Sequence, residues 1–410
     1  MAMVNKLPRV ELLAPAGNLE KLEIAVNYGA DAVYLSGKDF SLRNFSDNFS
    51  IEQLSAAIQT AHQHRVKVYV ACNIYSRNSE QKAIQAFFEK LGTLSPDAVI
   101  IADPGIFLLA RKVIPKIPFH LSTQANTTNY NAAQFWLNLG IKRVNVAREL
   151  SLAEIAEISA NCSVELEAFV HGAMCISYSG RCLLSSFMAN RESNRGLCAH
   201  PCRWKYAVME ETRPGQYMPL LEDKRGTFIF NSRDLCMIEH IPEMIESGIK
   251  SLKIEGRMKG IHYLASTTNV YRQAIDAYYA NPSGYRVKSH WIRALSVLNH
   301  RGYSTGFYFD DPGQISPNFN PSESSAQFIF LAKIIERQES RTVNVAVRNK
   351  ISRGDAVEIL KPARPPMEDR ILDIINPDKQ SVPVAQPGSM VTLKLNHDHS
   401  PNDLIRKPEV

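Results

Sequence analysis

The 410-residue chain lacks any run of about 18 consecutive apolar residues, the length a membrane-spanning helix needs. Its opening stretch, MAMVNKLPRVELLAPAG, lacks the apolar segment and small-residue cleavage site of a secretory signal. Together these absences lead us to expect a soluble, cytoplasmic protein with no membrane partner. No P-loop, Gly-rich dinucleotide fingerprint, HExxH pair or Ser-His-Asp order is present, so the common nucleotide-binding, zinc-protease and serine-hydrolase signatures are excluded. Neither sign of charge is scarce: 47 Lys and Arg against 41 Asp and Glu give +6, which alone says little about nucleic acid. Cysteine is sparse, and its count of seven is odd, which argues against a disulfide framework in a reducing compartment.

What is present is an ordinary globular composition, 45% hydrophobic and 21% charged, long enough for two domains. Eight short β-rich runs recur before residue 256: 9–14, 31–36, 66–72, 97–102, 117–122, 142–147, 164–170 and 250–255. They are nearly continuously apolar, as strands buried on both faces are. Between them lie helical patterns such as Leu19 to Asn27 and Ile51 to His62. Ser50 with Gln53, and Ser151 with Glu154, have the spacing of capping boxes. Alternating β and α with eight strands predicts a closed (β/α)8 TIM-like barrel, with an open doubly wound sheet as the alternative. The short link between the fourth and fifth strands predicts a short helix there.

The connection from His171 to Ile249 is oversized. It holds Cys175, Cys182, Cys198, Cys202 and Cys236, and over 181–233 nine Arg and Lys face five Asp and Glu. The expected organisation is a barrel domain over 1–310 with an insertion at 171–249. A Pro/Ser/Asn-rich stretch (311–325) then leads to a small all-β barrel over 326–410.

Active sites of such barrels lie at the carboxyl ends of the strands. Those ends offer Asn73, Asp103, Gln124, Glu167, His171 and Glu255 for hydrogen bonding and acid–base work. Arg148, Arg181 and Arg257 are candidates to clamp a carboxylate or phosphate. Strand ends are often polar merely because loops follow them, so the set says more than any member. Thiolates at these cysteine intervals suit zinc or an iron–sulfur cluster. The spacing matches neither a zinc ribbon nor a simple ferredoxin run, and alone does not separate the two. Trp204, Tyr206, Phe228 and Phe230, beside basic residues, have the makings of an RNA-stacking surface, although core packing explains each one singly.

The segment ELEAFVHGAMCISYSGRCLLS (165–185) resembles the signature of the collagenase-like peptidase U32 family. NRGLCAHPCRWKY (194–206), LKIEGRMK (252–259), RGYSTGF (301–307) and the opening ELLAPAGNLEKLEIAVNYGADAVYLSG are similar to its other motifs. The resemblance implies a C-terminal β-barrel akin to a translation-factor second domain. It also implies one of several activities. One branch takes part in forming 5-hydroxyuridine at the wobble position of tRNA, with prephenate as a required metabolite. Another supports oxygen-independent ubiquinone hydroxylation with a [4Fe-4S] cluster, and a third hydroxylates a cytidine in ribosomal RNA. The tail and motifs favour the tRNA branch. The resemblance further implies a [4Fe-4S] cluster, ahead of zinc, on Cys175, Cys182, Cys198 and Cys236, with Cys202 as the alternative ligand. Expected partners are tRNA, a small dicarboxylate, and a second copy or a family paralogue. The competing readings are a peptidase acting on collagen-like chains and a non-enzymatic RNA-binding module.

Overall fold

A computed structural model describes residues 9–38, 40, 48–175, 177–204, 222–223, 226–227, 233–309 and 328–409. Seven parallel strands come first: β1 (Glu11–Pro15), β2 (Ala32–Leu35), β3 (Lys67–Cys72), β4 (Ala98–Ile101), β5 (Phe119–Leu121), β6 (Arg143–Asn145) and β7 (Glu165–Ala173). Next come a two-stranded ladder, β8 (Glu222–Asp223) with β9 (Gly226–Thr227), then β10 (Asp234–Cys236) and β11 (Ser251–Ile254). Each of β1 to β6 pairs with the next, and β11 pairs with both β1 and β7. That closes an eight-stranded parallel barrel, so the expected (β/α)8 architecture is observed and the open sheet is not. Six of the eight strands fall within the β-rich runs, and β1 and β7 overrun theirs by one and three residues.

The helices α1 (Leu19–Asn27), α2 (Ile51–Gln63), α3 (Gln81–Leu94), α4 (Pro104–Val113), α5 (Tyr130–Asn138) and α6 (Leu152–Asn161) fill the first six connections. Ser50 and Ser151 cap α2 and α6 through complete capping boxes with Gln53 and Glu154. Contrary to expectation, α4 is not unusually short. Its 10 residues exceed the 9 of α1, because Asp103 caps it and Pro104 starts it at once, wasting no residues on a loop.

Strand β7 is longer than its neighbours and runs past the barrel rim. There β10 adds antiparallel to it, Cys236 opposite His171, and β12 (Tyr303–Ser304) pairs with β10. This extension carries the insertion, which holds α7 (Leu184–Ala189), and leads on to α8 (Ile241–Glu246). The insertion is tied to the loop after β3. Arg195 donates to the Tyr75 carbonyl at 2.6 Å and pairs with Glu80, and Arg77 pairs with Glu192. After β11 come α9 (Ile261–Ala280) and α10 (Ser289–Ser296).

The tail contributes β13 (Phe328–Glu339), β14 (Thr342–Val347), β15 (Ile351–Ser352), β16 (Ala356–Leu360) and β17 (Met367–Arg370). It ends with β18 (Asp373–Ile375), β19 (Val384–Ala385), β20 (Met390–Lys394) and β21 (Leu404–Pro408). Seven of these form an antiparallel sheet in the order β17-β16-β21-β13-β14-β20-β18, and β15 pairs with β19. The tail is thus all-β, as expected, in a half-barrel whose edge strands β17 and β18 do not pair. It leans on α1 and α9. The Tyr28 hydroxyl donates to Leu360 O at 2.9 Å, and the Asn269 amide bonds Lys361 O at 3.1 Å and the Ala363 N–H at 2.8 Å. Among the described residues no helix is long and apolar enough to cross a membrane.

Candidate active site

The barrel interior is not uniformly apolar. Near the amino-terminal ends of the strands, Glu11 meets Arg143 at 2.5 Å and accepts from the Tyr69 hydroxyl at 2.7 Å and the Ser251 hydroxyl at 3.0 Å. One layer up, Lys253 pairs with Glu167 at 2.7 Å, and Arg143 lies 3.7 Å from the same carboxylate. Burial pushes the Glu11 carboxyl up, but the Arg143 charge and hydrogen bonds outweigh it and hold the group below the usual range. This ionic floor closes the barrel beneath a cleft at the carboxyl ends of the strands.

The cleft is lined by Tyr34, Asn73, Ser122 to Gln124, Asn145, Arg148, Phe169, Lys253, Glu255 and Arg257 from the barrel. The insertion contributes Cys175, Tyr178, Cys182, Asn194, Cys198, His200 and Cys202. It encloses about 1230 Å³, part of it open to solvent. Three cations, Arg148, Lys253 (itself paired with Glu167) and Arg257, face it with one carboxylate, Glu255, so the cleft favours an anion. The Arg148 guanidinium lies 4.1 Å over the Phe169 ring and donates to Cys175 Sγ at 3.5 Å. Lys253 sits 4.6 Å over the Tyr34 ring. Arg257 donates to Asn48 at 2.7 Å, and the Tyr34 hydroxyl reaches the Ile254 carbonyl at 3.0 Å.

Two glycines let the insertion descend onto the mouth. Gly172 has φ +107°, and a Cβ there would lie 2.4 Å from the Glu255 carbonyl. Gly180 has φ +74°, and a Cβ there would lie 3.2 Å from both the Gln124 and Tyr75 side chains.

Of the residues singled out from sequence, Asn73, Gln124, Glu255, Arg148 and Arg257 share the cleft with Cys175, Cys182, Cys198 and Cys202. The others lie elsewhere. Asp103 accepts from the Gly105 and Ile106 N–H groups as a helix cap. Glu167 lies in the ionic floor. Arg181 stacks 5.6 Å from the Tyr75 ring centre. His171 is buried among the rings of Tyr263, Tyr271 and Tyr303, and burial holds its imidazole down to about 3, neutral at ordinary pH. Cys236 lies off the cleft wall, 3.9 Å from the Tyr271 hydroxyl, and burial pushes its thiol up to about 11. Trp204 is exposed, while Tyr206, Phe228 and Phe230 lie outside the described residues.

The sequence reading missed Tyr34, Asn145 and Lys253. Their signal was a polar residue at an inward position of an apolar strand, as in the alternation Ser251, Lys253, Glu255.

Four thiols on one wall are soft donors suited to an iron–sulfur cluster or zinc. Among the described residues, no three His, Cys, Asp or Glu side chains gather closely enough to hold a single metal ion.

The family model of peptidase family U32 matches residues 17–318, and that of the family's C-terminal domain matches 326–406. The chain belongs to peptidase family U32. It is 39% identical to tRNA hydroxylation protein P1 of Bacillus subtilis, over 99% of this chain and 96% of that protein. It is 37% identical to tRNA hydroxylation protein P of Escherichia coli, over 86% of each. A 23S rRNA 5-hydroxycytidine synthase of Escherichia coli is 29% identical over 86% of this chain and 52% of its own length. This U32 member thus resembles tRNA hydroxylation proteins along nearly its whole length.

Proposed function

We propose that this U32 protein is a tRNA-modifying enzyme that hydroxylates the wobble uridine to 5-hydroxyuridine without molecular oxygen. The observation that carries the reading is the near full-length similarity to two tRNA hydroxylation proteins. The cationic cleft supports it, being suited to a nucleotide phosphate and to a dicarboxylate such as prephenate as co-substrate.

The chain's own residues supply binding and orientation. Arg148, Lys253 and Arg257 hold negative charge. A base inside the barrel mouth has been drawn out of its stack, since the closed barrel floor admits no helical RNA. Glu255, beside the Tyr34 hydroxyl at 3.4 Å, is the acid–base group of the cleft wall. A [4Fe-4S] cluster would be held by Cys175, Cys182 and Cys198, with the fourth thiol from Cys236, as the family resemblance implies, or from Cys202, which shares the cleft. When bound, it would supply one-electron transfer; replacing C5–H by C5–OH with oxygen at the level of water releases two electrons and two protons, so two such transfers to an external electron acceptor would be needed.

Anaerobic purification tests the reading. Stoichiometric iron and acid-labile sulfide, with tRNA bound in preference to other RNA, are expected. A zinc-only preparation that cleaves gelatin and ignores tRNA would replace this reading with a peptidase.

A further inference from the structure

Gln124 and Asn145 both line the mouth. Gln124 lies in the single turn after β5, and Asn145 ends β6, which pairs in parallel with β5 through Leu121 and Val144. Each is only 2% exposed, yet Gln124 Nε2 and Asn145 Oδ1 have no hydrogen-bond partner in the protein. Buried polar atoms are nearly always paired, so this donor and this acceptor await a ligand.

The donor's orientation is fixed by its surroundings. Ser122 Oγ accepts from Asn73 Nδ2 and from the Gln124 N–H, each at 3.4 Å, which leaves its own proton for Gln124 Oε1 at 3.3 Å. Nε2 is then the end of the amide left to donate. The Tyr75 hydroxyl holds the Gln124 carbonyl at 2.7 Å, and Gly180 packs against its Cβ.

We propose that Gln124 and Asn145 read the Watson–Crick edge of a uracil base, Nε2 donating to O4 and Oδ1 accepting from N3–H. This rests on the tRNA reading above and adds to it the residues that choose uridine over cytidine. Uracil presents an acceptor beside a donor, whereas cytosine presents the amino donor of C4 beside the acceptor N3. Cytosine in the same pose would set donor against donor and acceptor against acceptor in a buried place, which such sites reject strongly. A carboxylate or phosphate carries no donor for Asn145 Oδ1, and the three cations of the cleft already serve anions.

The test uses the anaerobically purified full chain and two full-length tRNA transcripts differing only in U or C at the wobble position. Equilibrium binding by the unmodified protein is expected to favour the U transcript by roughly tenfold or more. Gln124→Glu, which exchanges the donor for an acceptor, should abolish or reverse that preference. Asn145→Leu is the second variant, should the first fail to fold, and should abolish it. Equal binding of the two transcripts by the unmodified protein, or a preference kept by both folded variants, overturns the inference. Binding of neither transcript above an unrelated RNA of equal length overturns the tRNA reading itself, and this inference with it.

Discussion

Replacing Arg143 by Met tests the ionic floor that shapes the cleft from below. The guanidinium is 6% exposed and meets Glu11 at 2.5 Å, Glu165 at 2.9 Å and Glu167 at 3.7 Å. Removing one partner of a buried pair costs about 3–5 kcal/mol, because the other charge stays buried. Glu11 keeps the Tyr69 and Ser251 hydroxyls, and Glu167 keeps Lys253, so we expect the lower end, about 3 kcal/mol. The sign of the pH dependence follows. In the unmodified protein the Glu11 carboxyl is depressed, so its contribution is present above its unfolded value and lost as pH falls through the folded one. Without Arg143, only the Tyr69 and Ser251 hydrogen bonds and Lys67 still oppose burial, so the carboxyl rises and protonation relieves the variant. The destabilisation should therefore shrink as pH falls from 7 towards 4.5. Urea unfolding followed by tryptophan fluorescence measures it, since Trp136, Trp204 and Trp291 all precede the tail. A loss under about 1 kcal/mol at pH 7, or one that stays constant or grows towards pH 4.5, would refute the reasoning.

Gly172→Ala should destabilise the mouth by about 2 kcal/mol or more, because its φ of +107° and the Glu255 carbonyl leave no room for Cβ; thermal melting checks it. Tyr28→Phe should cost about 1 kcal/mol by stripping Leu360 O of its donor, and should speed proteolysis between barrel and tail. His171→Phe should flatten the acid limb of stability. The imidazole held down to about 3 gives stability that is present above its unfolded value and lost as pH falls below it. Cys182→Ser should lose bound iron and sulfide, whereas Cys72→Ser, a fully buried core thiol, should keep both; iron analysis of Cys202→Ser and Cys236→Ser identifies the fourth ligand.

The barrel was legible because each strand is a short apolar run set between amphipathic helices, and periodicity alone separates the two. Strands β17 (MEDR) and β21 (LIRKP) were not, since their charged and proline residues look like loop until the tail sheet pairs them. The addition of β10 to β7 was equally hidden, because three residues in a long insertion carry no period. At the site, strand-end position found Asn73, Gln124, Arg148, Glu255 and Arg257. Position along the chain does not reveal which way a side chain points. So Asp103, which turns to cap α4, and His171, which turns into a tyrosine cage, were grouped with residues whose cleft their side chains do not line. Lys253 and Asn145 were overlooked because an isolated polar residue in an apolar strand shows its inward face only once the barrel closes.

Hydroxylation of tRNA by this protein is read most directly by nucleoside mass spectrometry of bulk tRNA from a strain lacking the chain. Loss of 5-hydroxyuridine and its derivatives is expected, restored by the unmodified gene but not by one encoding Cys182→Ser. Undiminished 5-hydroxyuridine in that strain, with no second protein of the family present, would contradict it.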